Sequence, residues 1–171
     1  IVNGDYFSNI GSKPIVTIGK DVEEISEYLF YDEIPNLQVK FEEGSVCSKI
    51  NSNSFRATSS FPGSVEALPL SLKTFYTTSF ENFTTITDNS NNTYLSGQNG
   101  NLYYALVSIA IQEDGSINIP STVGLIASDL FINKTTVKKV NYEGNIFDWI
   151  KIQRSEMGAS PLYHDAALYL S

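Results

Sequence analysis

Residues 36–42 read NLQVKFE. Leu37, Val39 and Phe41 alternate with Gln38, Lys40 and Glu42, so an extended segment here has one apolar face and one wet face. This stretch sets the fold class, because much of the chain reads the same way. SLKTFYTT (71–78) and FENFTTIT (80–87) are rich in Thr and aromatic residues, which suit a pleated surface. LYYALVSIAI (102–111) is apolar almost throughout and reads as a central strand covered on both faces. Asp114-Gly115 supplies a tight turn after it, and INI (117–119) a further strand stopped by Pro120. TVKKVNY and NIFDWIKI flank Glu143-Gly144, a second hairpin signal, and LYHDAALYL (162–170) reads as a last strand or a short helix.

The fold expected is therefore mainly β, with antiparallel sheets arranged as a sandwich or a twisted sheet and one short N-terminal helix. That helix is DVEEISEYLF (21–30): Asp21 and Glu24 form a capping pair, and Val22, Ile25 and Leu29 share a face. An α+β arrangement, with the helix packed on an antiparallel sheet, is the alternative. No internal repeat, linker or two-domain seam is evident, so residues 1–171 are expected to form a single domain. The chain starts without Met and stops at ALYLS, which reads as mid-strand; the expectation is a domain excised from a longer polypeptide.

Charge narrows the partners. The formal net charge is −8, with 11 Lys and Arg against 19 Asp and Glu. Nucleic-acid binding rests on neutralising phosphates and a polybasic membrane anchor on a cationic cluster, so both are disfavoured. No apolar run approaches the ~18 residues of a membrane span, and no membrane insertion is expected. One cysteine, Cys47, excludes an internal disulfide and a Cys-based zinc site.

Reactive groups are sparse. The opening IVNG looks like the start of a trypsin-like protease, but the only histidine is His164, near the C-terminus, and no GDSGG stretch follows. His164-Asp165 has no nucleophile or metal ligand beside it in sequence. Asp88, Ser90 and Asn92 have EF-hand-like spacing, yet Thr93 and Asn99 stand where Gly and Glu are needed. The carboxylate pairs, such as Glu42-Glu43 and Glu113-Asp114, read as turn and surface charges, which leaves a glycoside hydrolase a distant third reading. No catalytic residue, metal or cofactor is expected.

Two stretches suit contact instead. YEGNIFDWIKIQR (142–154) holds the only Trp, and as a strand it would set Phe147, Trp149 and Lys151 on one face. An aromatic ring beside Asn, Asp or Arg is the chemistry that grips a sugar. The candidate ligand-binding residues are Tyr142, Asp148, Trp149 and Arg154, together with Asn91, Asn92, Tyr94, Asn99 and Asn101 of the polar loop 87–101. The alternative for Trp149 is a place in the core.

IVNGDYFSN at the start and YEGNIFDW at 142–149 resemble segments of the rotavirus spike head, the receptor-binding domain of an outer-capsid protein. That resemblance implies a divergent head domain on the virion surface, attaching to a host-cell glycan or protein receptor without catalysis. It also implies the remainder of the parent spike polypeptide as a partner. No contact residue of that family transfers to a position here. A structural or adhesive subunit, such as a phage tail-fibre tip, a pilin or a bacterial surface module, is the alternative on another extracellular surface.

Overall fold

Phe30, Phe55 and Phe80 lie one above another at 25-residue intervals, and this ladder shows how the chain is wound. The computed structural model describes residues 13–171, so the opening IVNGDYFSN lies outside the described residues. The first coil consists of β1 (Ile15–Ile18), β2 (Glu24–Ile25) and β3 (Phe30–Ile34). The second repeats it as β4 (Gln38–Phe41), β5 (Lys49–Ile50) and β6 (Phe55–Ala57). The third keeps β7 (Ser64–Val65) and β8 (Phe80–Glu81), with Thr74 bridged to Lys49 between them. Each strand pairs in parallel with its equivalent in the next coil. The result is a β-solenoid.

The same side chain recurs at the same place in successive coils. Ile25, Ile50 and Phe75 point inward, and all three are buried. The Phe30 and Phe55 rings stack at 5.4 Å, those of Phe55 and Phe80 at 5.2 Å, and Phe83 meets both Phe55 and Phe80 edge-on. Ser54 and Ser79, also 25 residues apart, are buried and turn their hydroxyls onto backbone carbonyls. Ser54 Oγ donates to the carbonyls of Ser26 and Asn51, and Ser79 Oγ to those of Ile50 and Asn51. A short polar side chain thus satisfies carbonyls that a buried arc would otherwise leave bare. Outward positions carry ion pairs between coils: Lys49 with Glu24, Lys40 with Glu66, and Arg56 with Glu33 and Glu81. Apart from Arg56, which is partly buried, these side chains are solvent-exposed, and such pairs stabilise little singly.

Beyond the third coil the winding is interrupted. β9 (Ile86–Thr87), β10 (Thr93–Leu95) and β11 (Ala105–Ser108) form antiparallel pairs. Parallel stacking then resumes. β12 (Ser116–Pro120), β14 (Lys139–Glu143) and β15 (Ala167–Leu170) build one sheet, while β13 (Leu125–Ile126) lies beside β11 and bridges Gln153. Backbone N–H of Ser128 to the Phe75 carbonyl (2.7 Å) and Thr77 to the Asp129 carboxylate tie the two parts together, and one continuous core runs through both.

The expectation of mainly β structure holds, but its antiparallel arrangement does not. Among the described residues, eight of the ten strand pairings are parallel. An internal repeat is present where none was read. Residues 21–30 form no helix; they hold β2, a turn and the start of β3. Val22 and Leu29 of the expected helical face are exposed, and Asn51 binds the Ile25 carbonyl and the Glu24 carboxylate from the next coil. Bonds between coils thus override a weak local helical pattern. The short α-helix sits instead at Ile146–Trp149 (α1), where the second hairpin was expected. Asn145 caps it, its Oδ1 accepting from the backbone N–H of Phe147 (2.8 Å) and Asp148 (3.1 Å). NLQVKFE behaves as read, with Val39 and Phe41 inward, and β11 is flanked by strands on both sides.

Candidate functional site

A cleft of about 210 Å³ opens where the turn before β13 meets β14 (Tyr142) and α1 (Asp148). Asn99 and Asn101 border it on one side, and Ser121 and Thr122 on another. Asp148 and Lys151 come from α1 and the turn that follows it. Buried Tyr104, Val123 and Ile152 supply its apolar lining. Two glycines shape it by close approach. A Cβ at Gly124 would lie 2.4 Å from Tyr104 Cε2, so that ring rests directly on backbone. A Cβ at Gly144 would lie 3.1 Å from Cζ of Tyr142 and 3.2 Å from Cβ of Ser121.

Tyr142 is the unusual member. It lines the cleft, is only 1% exposed, and its hydroxyl has no hydrogen-bond partner among the described residues. Burial, and then the nearby Asp148 carboxylate, push its pKa above the ordinary tyrosine value, so the group is a protonated donor at neutral pH. A buried hydroxyl left unpaired costs about 1–3 kcal/mol, and native folds rarely leave one so. The charged members are engaged with each other: Lys151 Nζ lies 3.3 Å from Asp148 Oδ1, and Asn145 Nδ2 donates to Asp148 Oδ2 at 2.7 Å. Asn99 Oδ1 accepts from the backbone N–H of Asn101 (3.1 Å), which leaves its amide N–H groups as donors.

The fold thus brings together Tyr142, Asp148, Asn99 and Asn101, four of the residues read from sequence as contacts. It separates the others. Trp149 is 4% exposed, meets Tyr142 edge-on at 5.2 Å, and lies beneath the Arg154 guanidinium at 4.8 Å. Arg154 also donates to the Trp149 carbonyl (3.3 Å), so the two form a core plug with its cover. The sugar-stacking face expected for Trp149 is corrected: the segment is helical, which turns Trp149 inward and leaves Phe147 69% exposed. Asn92 and Tyr94 are fully buried and are likewise corrected from loop contacts to core groups. Asn91 is exposed, at the positive φ (63°) that asparagine tolerates in a turn. Sequence reasoning missed Ser121, Thr122 and Lys151. Asn145-x-x-Asp148, a capping pair, was the signal for α1 and hence for Lys151.

Asp88 has a structural role rather than the calcium-binding one considered above. Its carboxylate accepts from the backbone N–H of Ser90 and Asn92, from Asn92 Nδ2, and from Tyr94 Oη at 2.6 Å. Burial pushes its pKa up, but the Tyr94 hydroxyl and the other donors outweigh this and hold it below the usual carboxylate value. The sign follows from that depression. Asp88 contributes stability above its unfolded pKa of about 3.9, and the contribution is lost as pH falls through the lower folded value. Asp88→Asn is expected to flatten the loss of stability below about pH 4, measured by urea titration across pH.

A broader trough of about 400 Å³ lies over β1 and β4, between Thr17, Lys40, Glu66 and Gln98. Its polar groups are already matched: Lys40 pairs with Glu66 at 2.6 Å, and Gln98 Nε2 donates to the Phe41 carbonyl at 3.1 Å. His164 Nε2 lies 3.0 Å from the Ile132 carbonyl and its ring packs on Tyr163. Among the described residues no three His, Cys, Asp or Glu side chains gather as a metal-holding group, and no helix is long and apolar enough to cross a membrane. No known family, curated protein or solved structure matches the chain.

Proposed function

We propose that this chain is a non-catalytic binding module that attaches to a host-cell glycan or protein receptor, in the manner of a viral spike head. The observation that carries the reading is the solenoid itself. Stacked coils repeat outward polar side chains in register, and such repetition builds extended contact surfaces. The titratable groups, by contrast, are spread along the coils in ion pairs and turns. Weak individual contacts of this kind become effective when many copies act together. The remainder of the spike polypeptide and an outer-capsid location belong to the same reading.

Fluorescently labelled protein, displayed multivalently, is expected to bind receptor-bearing cells saturably. Prior glycosidase treatment of the cells removes binding if the receptor is a glycan, and prior protease treatment removes it if the receptor is a protein. No saturable binding across a broad cell panel would sink the proposal.

A structural or adhesive module is the second reading, favoured by one observation. β15 closes the β12–β14–β15 sheet with Tyr169 and Leu170 exposed, and among the described residues no strand covers its outer edge. Light scattering discriminates: a defined oligomer supports the module, and a monomer supports the head.

A further inference from the structure

We infer that the cleft between Asn99, Ser121, Tyr142 and Asp148 is a binding site for one neutral sugar ring, with the Tyr142 hydroxyl as its buried hydrogen-bond donor. This rests on the glycan arm of the proposed function. The size and lining of the cleft define the ligand. The volume, about 210 Å³, is below the roughly 300–1,000 Å³ of sites for drug-sized molecules, so it admits a small ring. The lining carries one negative and one positive side chain, Asp148 and Lys151, already paired, so a charged ligand finds no uncompensated partner. A net charge of −8 further disfavours an anion.

The remaining polar groups are the amides of Asn99 and Asn101 and the hydroxyls of Ser121 and Thr122, donors and acceptors matched to sugar hydroxyls. Beside them, Tyr104, Val123 and Ile152 give the apolar surface that the C–H face of a pyranose covers. The Tyr142 hydroxyl, buried and unpartnered on a residue that lines the cleft, is a donor that a polar occupant would satisfy. Gly144 permits this, because any side chain there would crowd both the Tyr142 ring and Ser121.

The test is a ¹H–¹⁵N NMR titration of the whole chain with methyl glucoside, methyl galactoside, methyl mannoside and N-acetylglucosamine, and with N-acetylneuraminic acid as the anionic probe. At least one neutral sugar is expected to shift the amides of residues 99–101, 121–124 and 142–151 with millimolar affinity, and the anion to leave them in place. Tyr142→Phe keeps the ring and removes only the donor. It is expected to weaken binding about three- to tenfold, the size of one hydrogen bond, while the melting temperature stays level or rises. Asn101→Ala, at the rim, is expected to weaken binding without unfolding the chain.

No shift with any neutral sugar, shifts elsewhere on the surface, or equal affinity in Tyr142→Phe would each overturn the inference. Cell attachment separates it from the broader proposal. Wild-type attachment that survives Tyr142→Phe, with no sugar in the cleft, removes the site and leaves the attachment reading. A sugar held in the cleft of a protein that attaches to no cell does the reverse.

Discussion

Phe55→Ala is expected to lower stability by about 3–5 kcal/mol, enough to depress the melting temperature of a chain this long by roughly 6–20 °C. Phe55 is fully buried at the centre of the first solenoid stack. Its ring is sandwiched between Phe30 and Phe80 with interplanar angles of 5° and 3°, and it meets Phe83 edge-on. Truncation removes three ring contacts together and leaves a void between coils that cannot close, because the strands on either side are held in hydrogen-bonded register. In a solenoid, stability is a sum of coil and nearest-neighbour terms, so the loss is local at first. Hydrogen exchange is expected to quicken most in residues 15–83 and less in 116–170. The control is Phe61→Ala, a ring 56% exposed at a turn, which is expected to change stability by no more than about 0.5 kcal/mol. Equal effects of the two substitutions would show that the aromatic ladder does not hold the coils together.

That ladder was present in the sequence as Ile25/Phe30, Ile50/Phe55 and Phe75/Phe80, and it explains why the fold was only half legible. Alternation in NLQVKFE reports that a strand has one dry and one wet face. It does not report the partner. A solenoid strand and a sandwich strand share that pattern, and the difference lies in whether the neighbour is the next segment or the equivalent one 25 residues on. The repeat is hard to see because only a few inward positions per coil are held, while the outward ones vary freely between Glu24, Lys49 and Thr74. The site was legible to a similar extent. Tyr142, Asp148, Asn99 and Asn101 were read from residue type, since amides and an acid near an aromatic suit contact, and the fold does gather them. Of the two places read for Trp149 the fold takes the core, because Asn145 caps residues 146–149 into a helix rather than a strand. Asn92 and Tyr94 lie in the core although their loop is polar in composition, because composition does not report exposure and here a polar side chain is bonded inside the fold.

Asn92→Ala is accordingly expected to cost about 2–5 kcal/mol, far more than a loop asparagine would. Asn92 is fully buried and makes three side-chain bonds, one within its own turn and two to other segments. Its Oδ1 accepts from the backbone N–H of Ala110 (2.9 Å), and its Nδ2 donates to the Asn118 carbonyl (2.9 Å) and to Asp88 Oδ2 (3.0 Å). It thereby pins the 88–92 turn to the end of β11 and to the middle of β12, where the antiparallel interruption meets the second stack. Alanine leaves a buried donor and a buried acceptor bare, each carrying its own desolvation cost. Asn92→Asp tests the same geometry by charge. A carboxylate replaces the amide with acceptors facing two acceptors, Asp88 Oδ2 and the Asn118 carbonyl, so the variant is expected to be the less stable of the two at pH 7. Lowering the pH toward 5 protonates the new acid, restores one donor and recovers part of the loss, while wild type changes little over that interval. Urea denaturation of the three proteins at pH 7 and pH 5 measures this; an Asn92→Asp deficit independent of pH would show that the side chain is not held between those acceptors.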